Sequence, residues 1–311
     1  MKYMDLHCDT ASRIFYNKKS LKENPFSVDI NKLKKGNTLA QVFAFFIDIG
    51  EVENFTLEFE KMYNNFLLEM EKNKKDISIV TNIIDLKRCE EEGKIGAFLS
   101  IEEGEILNGN IDNLKRVYDK GIRFITLTWN YKNSLGYPNY NFIYKDKGLT
   151  SLGKDMVCEM ENLGIIPDAS HLSDKGFYDL IDICKKPFIA THSNARAITN
   201  HPRNLTDDMI KALSNKGGVL GINFCSDFLG KSRVALIEDI ITHIKHIKKV
   251  GGIDVISLGS DFDGIENKVE IKDASEMYKL SHALKKEGFN YEEIEKIFYK
   301  NSLRIIMNNL K

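Results

Sequence analysis

Tyr3-Met4-Asp5-Leu6-His7-Cys8 is a short, largely apolar run, and Asp9 follows it directly. Seven similar runs recur along the chain, separated by longer amphipathic, charged stretches. The eight runs are Tyr3–Cys8, Leu39–Phe46, Gly96–Ile101, Arg123–Thr128, Gly164–Ser170, Pro187–Thr191, Gly218–Phe224 and Val255–Ser260. Runs that are apolar on both faces are typical of parallel strands covered by helices on each side. Eight alternations of strand and helix predict an α/β fold, the (β/α)8 TIM barrel.

The stretches between the runs have helical patterns, as in Asn54–Asn73, Leu149–Asn162, Thr206–Asn215 and Ile237–Val250. Thr206, followed by two aspartates, is a helix-start signal, and Gly217 and Gly251 lie where helices should end. An open doubly wound sheet is the alternative fold, but the sequence has neither a Gly-x-Gly-x-x-Gly after the first run nor a P-loop. We therefore expect residues 1–311 to form a single barrel domain.

Composition narrows the classes of protein to which the chain can belong. Its 311 residues carry 44 Lys and Arg against 45 Asp and Glu, a formal charge of −1, and 42% are hydrophobic. This near-neutral balance gives no electrostatic footprint for nucleic acid. No apolar segment approaches the roughly 20 residues of a membrane helix, and no secretion signal is evident. Five scattered cysteines without a Cys-x-x-Cys pair favour a reducing, cytoplasmic location.

Polar side chains with metal-binding potential lie at the ends of the apolar runs. They are His7, Asp9, Glu102, His171, His192 and Asp261. In a barrel these positions all lie at the C-terminal mouth and converge on one axis. We expect the long loops Thr10–Asp29 and Asn130–Lys147 to lie over this mouth and help to build a pocket.

So many imidazoles and carboxylates at one mouth would be strongly desolvated without cations between them. His7 and Asp9 are alternate residues of one strand, so both side chains can reach the same ion, while Cys8 faces the packing layer. A single catalytic zinc usually takes three protein ligands, so this set predicts two ions, with Glu102 able to bridge them. Imidazole with carboxylate favours zinc, with manganese or cobalt as substitutes. The sequence therefore predicts a metal centre at the mouth of the barrel.

Other polar residues are weaker candidates. Glu102 is preferred to the nearby Glu103 and Glu105 because it directly follows the strand, and Asp261 is preferred to Asp263 for the same reason. The remaining histidines and the strand-end cysteine have simpler interpretations. We expect a helix surface for His243, His246 and His282, and a buried inert thiol for Cys225. His201 is on the same loop as Arg203, where we expect an exposed position, with a supporting position near the site as the alternative.

Six stretches in this order resemble the renal (membrane) dipeptidase family of zinc dipeptidases, within the amidohydrolase superfamily. They are Asp5-Leu6-His7-Cys8-Asp9-Thr10, Ser100-Ile101-Glu102-Glu103-Gly104, Asp168-Ala169-Ser170-His171-Leu172-Ser173, Thr191-His192-Ser193, Arg203-Asn204 and Gly259-Ser260-Asp261-Phe262-Asp263-Gly264. Each stretch alone is a weak signal. Together they extend over residues 5–264 and make a specific one.

The resemblance implies a barrel of the metal-dependent hydrolase type and a role for each residue of the set. His7 and Asp9 would hold one zinc and His171 and His192 the other, with Glu102 and a water or hydroxide bridging both ions. Asp261 would hold that water and move its proton. Arg203 would bind the terminal carboxylate of a dipeptide, a task suited to a planar bidentate donor. Relatives imply a homodimer.

One position departs from the family pattern. Thr126-Leu127-Thr128-Trp129-Asn130 has Trp129 where mammalian members carry a histidine that contacts the substrate. An indole donates one hydrogen bond and cannot act as a base or metal ligand. Trp129 and Asn130 are therefore substrate-binding candidates, and stabilisation of the oxyanion must come from zinc or from a neighbour such as Asn130.

The predicted function is a zinc-dependent dipeptidase in which a metal-bridging hydroxide attacks the amide bond of a small dipeptide. A related binuclear amidohydrolase that acts on an N-acyl amino acid, a lactam or a phosphoester is the alternative. The His-x-Asp of the first strand argues against deaminase and phosphotriesterase relatives, whose pattern there is His-x-His. A third possibility is a metal or ligand binder that lost catalysis when Trp129 arose.

Overall fold

The computed structural model describes residues 1–230 and 232–310. The strands are β1 Tyr3–Cys8, β2 Thr38–Phe46, β3 Ile77–Ile79, β4 Ile95–Glu102, β5 Ile122–Thr126, β6 Ile166–Asp168, β7 Ile189–Ser193, β8 Val219–Ile222, β9 Val234–Ala235, β10 Ile256–Leu258 and β11 Lys268–Val269. The α-helices are α1 Thr10–Asn17, α2 Ile30–Lys35, α3 Phe55–Lys72, α4 Ile83–Glu91, α5 Asp112–Asp119, α6 Ser151–Leu163, α7 Asp174–Ile183, α8 Asp207–Asn215, α9 Ser226–Leu229, α10 Ile237–Gly251, α11 Tyr278–Lys286, α12 Tyr291–Glu295 and α13 Asn301–Asn309.

Eight parallel strands close into a barrel with helices between them. Around the ring the order is β1, β2, β4, β5, β6, β7, β8 and β10, and β10 pairs again with β1. The long β2–β4 ladder runs from Ala40 opposite Gly96 to Phe46 opposite Glu102. Each barrel strand coincides with one of the eight apolar runs, so the predicted (β/α)8 fold is confirmed.

Two glycines approach the backbone of β7 closely inside the barrel. A Cβ atom on Gly221 of β8 would lie 1.9 Å from the carbonyl oxygen of Thr191, and a Cβ atom on Gly259 would lie 1.8 Å from it. Only glycine fits at either position, because any side chain would overlap the backbone of β7. The two glycines therefore let β8 and the end of β10 press against the strand segment that carries Thr191 and His192.

The predicted helices occur as α3, α6, α8 and α10, with ends within two residues of those expected. Thr206 is the N-cap of α8, in agreement with the predicted helix start. Its side chain accepts a hydrogen bond from the backbone N–H of Met209. None of the described helices combines the length and the apolar character needed to cross a membrane.

Three features of the structure differ from the sequence-based expectation. The predicted loop Thr10–Asp29 begins with α1, whose Ala11 and Ile14 are buried against the barrel. A short additional strand, β3, pairs with the first half of β4. His243 is fully buried rather than on the surface of α10, because its Nδ1 accepts from the backbone N–H of Ala195 and its Nε2 donates to the carbonyl of Leu229.

For the other two helical histidines, the expected position on a helix surface agrees better with the structure. His282 is exposed. His246 is partly buried, with its Nε2 2.7 Å from Oδ1 of Asp207. Neither belongs to the groups of ligand atoms that could hold a metal ion among the described residues.

Candidate metal centre

The first part of the candidate site surrounds His7, which β1 presents at the mouth of the barrel. Its Nε2 atom lies 3.2 Å from Oδ2 of Asp9 and 3.2 Å from Oε2 of Glu102. Oδ1 of Asp261, just beyond β10, lies 3.8 Å from the same nitrogen. Four residues from three strand ends thus meet at one imidazole, as the sequence predicts.

The second part lies on the other side of the Glu102 carboxylate. Oε1 of Glu102 is 3.2 Å from Nε2 of His171 and 3.5 Å from Nε2 of His192. These two ring nitrogens are 3.1 Å apart. One carboxylate oxygen therefore faces His7 and the other faces the histidine pair, which is the arrangement expected of a bridging ligand.

The hydrogen bonds of His171 indicate that a cation fits here. Its Nδ1 lies 3.1 Å from Oδ1 of Asn130, an oxygen that can only accept, so Nδ1 carries the ring proton. Nε2 is then a bare acceptor that faces the acceptor Oε1 of Glu102, a contact that is repulsive unless a cation lies between them. Oδ1 of Asp9, buried nearby, also lacks a partner in the described part of the chain.

The electrostatics of the cluster agree with this interpretation. Burial lowers the pKa of both His171 and His192 well below the usual value, so both rings are neutral, the form that binds metal. Burial also raises the pKa of Asp9 to about 6 and that of Asp261 to about 7. For His7, burial acts downward, but the carboxylates of Glu102 and Asp9 outweigh it and raise its pKa.

Ligand atoms of the cluster fall into two overlapping groups, and within each group all atoms lie within 4.8 Å of one another. The groups are His7, Glu102 and His192, and His7, Asp9 and Asp261. Imidazole and carboxylate donors of this kind suit zinc. The residues present therefore fit a metal centre.

The cluster forms the floor of a cavity of about 450 Å³. Arg203 is buried in its wall, and its Nη2 donates to the carbonyl of His192 at 3.3 Å. Its Nε and Nη1 atoms have no hydrogen-bond partner among the described residues. A buried guanidinium with free donors beside a cavity is suited to receive a carboxylate.

The opposite wall is aromatic. The Trp129 ring lies 4.8 Å from the ring of Phe46 and 6.2 Å from that of His171, and all three residues line the cavity. Asn130 also lines it, but its side-chain oxygen is already bonded to His171. The geometry thus gives Asn130 a part in orienting a candidate ligand, whereas Trp129 presents an apolar surface.

The neighbouring acidic residues have other partners, which supports the choices made from sequence. Glu103 accepts from the backbone N–H of Trp129, at 3.0 Å, and from the side chain of Asn133. Asp263 accepts from the hydroxyl of Thr10 and from the backbone N–H of Ser27, each at 2.6 Å. Both carboxylates hold loops rather than the histidine cluster.

Two further residues line or border the cavity. Cys225 is partly buried, and burial raises the pKa of its thiol to about 11, so it is protonated at neutral pH. His201 lies beneath Arg203, and its Nδ1 accepts from the backbone N–H of Arg203 at 3.1 Å. It therefore supports Arg203 rather than contacting the cluster.

Sequence reasoning missed several supporting groups. Asn223 donates through Nδ2 to Oδ2 of Asp261 at 2.8 Å, and as a polar residue inside an apolar run it could have been noticed.

Both His171 and Asp261 have left-handed backbones, with φ of 66° and 61°. Such strain in non-glycine residues concentrates at functional sites, where the surrounding structure holds it in place.

Comparison with known proteins gives a consistent result. A family model described as membrane dipeptidase (peptidase family M19) matches residues 1–310. An uncharacterised dipeptidase of Schizosaccharomyces pombe is 30% identical over 89% of this chain and 71% of its own length. A Klebsiella pneumoniae protein encoded in the pqqA 5′ region is 33% identical over 72% of this chain and 86% of its own.

Two solved structures share the fold. A Rhodobacter sphaeroides metallopeptidase, liganded with a phosphinate mimic of the dipeptide L-Ala-D-Ala, superposes with a TM-score of 0.90, 22% identity and 99% coverage of both chains. A family M19 metallopeptidase, dipeptidase AC, gives a TM-score of 0.92 at 23% identity over 100% of this chain and 99% of its own.

Proposed function

Because this chain belongs to the membrane dipeptidase family, peptidase family M19, we propose that it is a zinc-dependent dipeptidase that hydrolyses the amide bond of small dipeptides. The family match confirms the resemblance noted in the sequence and makes the chain a metallohydrolase. The observation that carries the finer proposal is the pairing of two features in one cavity. These are the facing acceptors of His171 and Glu102, and the free guanidinium donors of Arg203.

We assign two zinc ions to the site. His7 and Asp9 would hold one ion and His171 and His192 the other, with Glu102 shared between them. Divalent ions in such a site polarise a carbonyl and lower the pKa of bound water toward neutrality.

The protein groups would position the substrate and move its protons. Arg203 would bind the terminal carboxylate with its guanidinium, two of whose nitrogens have no hydrogen-bond partner among the described residues. Asp261 has Oδ2 occupied by Asn223, which leaves Oδ1 to accept the proton of the attacking water. It then delivers that proton to the leaving amine.

Metal analysis combined with a substrate panel tests the proposal. We expect two equivalents of zinc and hydrolysis of L,L- or L,D-dipeptides, with L-Ala-D-Ala included because the Rhodobacter protein binds its mimic. Cleavage of N-acyl amino acids or lactams without dipeptides would favour the related amidohydrolase. Bound metal without turnover of any substrate would make the chain a binder. Light scattering tests the accompanying proposal of a homodimer of single-domain subunits. Cell fractionation tests the proposed cytoplasmic location.

Trp129 should set the preference for the amino-terminal side chain of the dipeptide. Arg203 follows β7, and Phe46 ends β2, the strand that lies across the ring from β7. Trp129 follows β5, two strands from β7, and its ring packs against Phe46 in the same cavity. A dipeptide with its carboxylate on Arg203 and its amide over Glu102 therefore extends its amino-terminal side chain toward this pair. In Trp129→Ala the ratio of kcat/KM for Leu-Ala to that for Gly-Ala should fall about tenfold, because roughly 1.5 kcal/mol of apolar contact is lost.

Tyr131→Ala provides the matched aromatic control. Tyr131 packs 5.8 Å behind the Trp129 ring but does not line the cavity, so its removal should leave the Leu-Ala to Gly-Ala ratio within about twofold. An unchanged ratio in Trp129→Ala would show that the amino-terminal side chain lies elsewhere.

A further inference from the structure

We propose that Asp168 and Thr191 form a hydrogen-bond relay that fixes the ring proton of His192 on Nδ1, which presents Nε2 as a metal ligand. Asp168 and Thr191 are positioning residues here, since neither reaches the cavity. The inference rests on the proposed function in one respect, namely that His192 binds zinc.

The carboxylate of Asp168 is fully buried at the end of β6 and accepts four hydrogen bonds. Oδ1 accepts from the backbone N–H groups of Ser170 and Thr191, at 2.9 and 2.8 Å. Oδ2 accepts from the hydroxyls of Thr126 and Thr191, at 2.7 and 2.6 Å. All four groups therefore donate to Asp168, whose two oxygens act as acceptors.

The single hydroxyl proton of Thr191 decides the tautomer of His192. Oδ2 of Asp168 is the acceptor in this contact, so the hydroxyl proton of Thr191 is donated to Asp168. Oγ1 of Thr191 also lies 2.8 Å from Nδ1 of His192, and with its own proton committed it can only accept there. Nδ1 of His192 must then carry the ring proton, which leaves a lone pair on Nε2.

Ser170 completes the network without changing this assignment. Its hydroxyl oxygen accepts from the backbone N–H of His192 at 3.1 Å and lies 3.2 Å from Oγ1 of Thr191. Its proton can be donated to Thr191, whose oxygen has two lone pairs. All groups of the relay are buried, so water cannot substitute for a missing member.

The outcome at Nε2 is what a metal site needs. Nε2 of His192 lies 3.1 Å from Nε2 of His171 and 3.5 Å from Oε1 of Glu102. Metal-bound histidines usually donate their second N–H directly to a carboxylate or a carbonyl, and loss of that partner weakens metal binding. In this chain a threonine hydroxyl stands between the carboxylate of Asp168 and the imidazole.

Thr191→Val tests the relay, with Thr126→Val as the matched control. Both changes replace a buried threonine by an isosteric side chain and remove one hydroxyl from Oδ2 of Asp168, but only Thr191 contacts His192. Competition against a chromophoric chelator should show zinc binding about 10- to 100-fold weaker in Thr191→Val. Thr126→Val should stay within about threefold of the parent protein.

Thr191→Ser, which keeps the hydroxyl, should restore most of the zinc affinity. Equal affinity in Thr191→Val and Thr126→Val would overturn the relay. If Thr191→Val does not fold, NMR of the zinc-loaded parent labelled with 15N-histidine still decides, because His192 must show a protonated Nδ1 whose resonance shifts in Thr191→Ser. A proton on Nε2 instead would also overturn it. A parent protein that binds no zinc would contradict the proposed function, and 15N-histidine NMR of the metal-free protein then decides the relay, which is overturned if the ring proton of His192 is on Nε2.

Discussion

The Asp261→Asn variant should retain both zinc ions and lose about 100- to 10,000-fold in kcat, the usual contribution of a positioned acid–base group. Asparagine keeps the size of the side chain and can still accept from Asn223, but its amide cannot take a proton from water. It also tolerates the left-handed backbone at this position, where φ is 61°, better than most residues do. Stopped assays on a cleaved dipeptide, with zinc measured on the same sample, give both quantities.

Asp263→Asn is the control for this experiment, because it removes a carboxylate from the same turn. Asp263 binds Thr10 and the backbone of Ser27 and belongs to the loop support. We expect this variant to lose thermal stability and to keep far more of its kcat than Asp261→Asn. A kcat for Asp261→Asn within threefold of the parent value would remove Asp261 from the proposed proton transfer.

Arg203→Met should lower kcat/KM for dipeptides by roughly 30- to 1000-fold. Loss of one partner of a buried, hydrogen-bonded charge pair costs about 2–4 kcal/mol, and each 1.4 kcal/mol is tenfold. Methionine fills much of the space of arginine without its charge, so packing against Phe228, whose ring lies 5.3 Å from the guanidinium carbon, is largely kept. Steady-state kinetics with zinc-saturated protein measure the effect.

Substrate amidation separates a carboxylate contact from a general defect. The parent protein should discriminate strongly against a dipeptide amide, which lacks the terminal charge. In Arg203→Met the acid and the amide should be hydrolysed at similar rates, because the group that distinguishes them is gone. If both substrates lose the same factor in the variant, Arg203 does not recognise the carboxylate.

The barrel was predictable because its strands are covered on both faces. Runs such as Leu39–Phe46 are apolar except for Gln41, and this near-continuity distinguishes them from amphipathic helices. The strand Ile77–Ile79 is three residues long and gives too little pattern to recognise. Helix α1 follows β1 after a single residue and is only eight residues long, so its helical pattern is too short to distinguish from a loop.

The candidate site was predictable to the extent that strand ends share one mouth. His7 and Glu102 could be placed together from that rule alone, and the structure brings them within 3.2 Å. Asn223 is recognisable as a polar residue in an apolar run, but its role and that of Asp168 could not be predicted. They depend on hydrogen bonds to Asp261 and Thr191, which are 38 and 23 positions away in the sequence. The burial of His243 could not be predicted either. The lysines of its helix indicate an exposed surface, whereas His243 lies on the face that packs against Ala195.

Because the facing acceptors of His171 and Glu102 repel each other without a cation, the stability of the fold should also depend on bound metal. A cation that relieves their repulsion binds the folded chain and not the unfolded one, and at 100 times its dissociation constant each such ion adds about 2.7 kcal/mol to the free energy of unfolding. The melting temperature of the purified protein would then rank candidate metals without any substrate. In a metal-starved cell the same coupling would leave more of the chain unfolded and open to proteases.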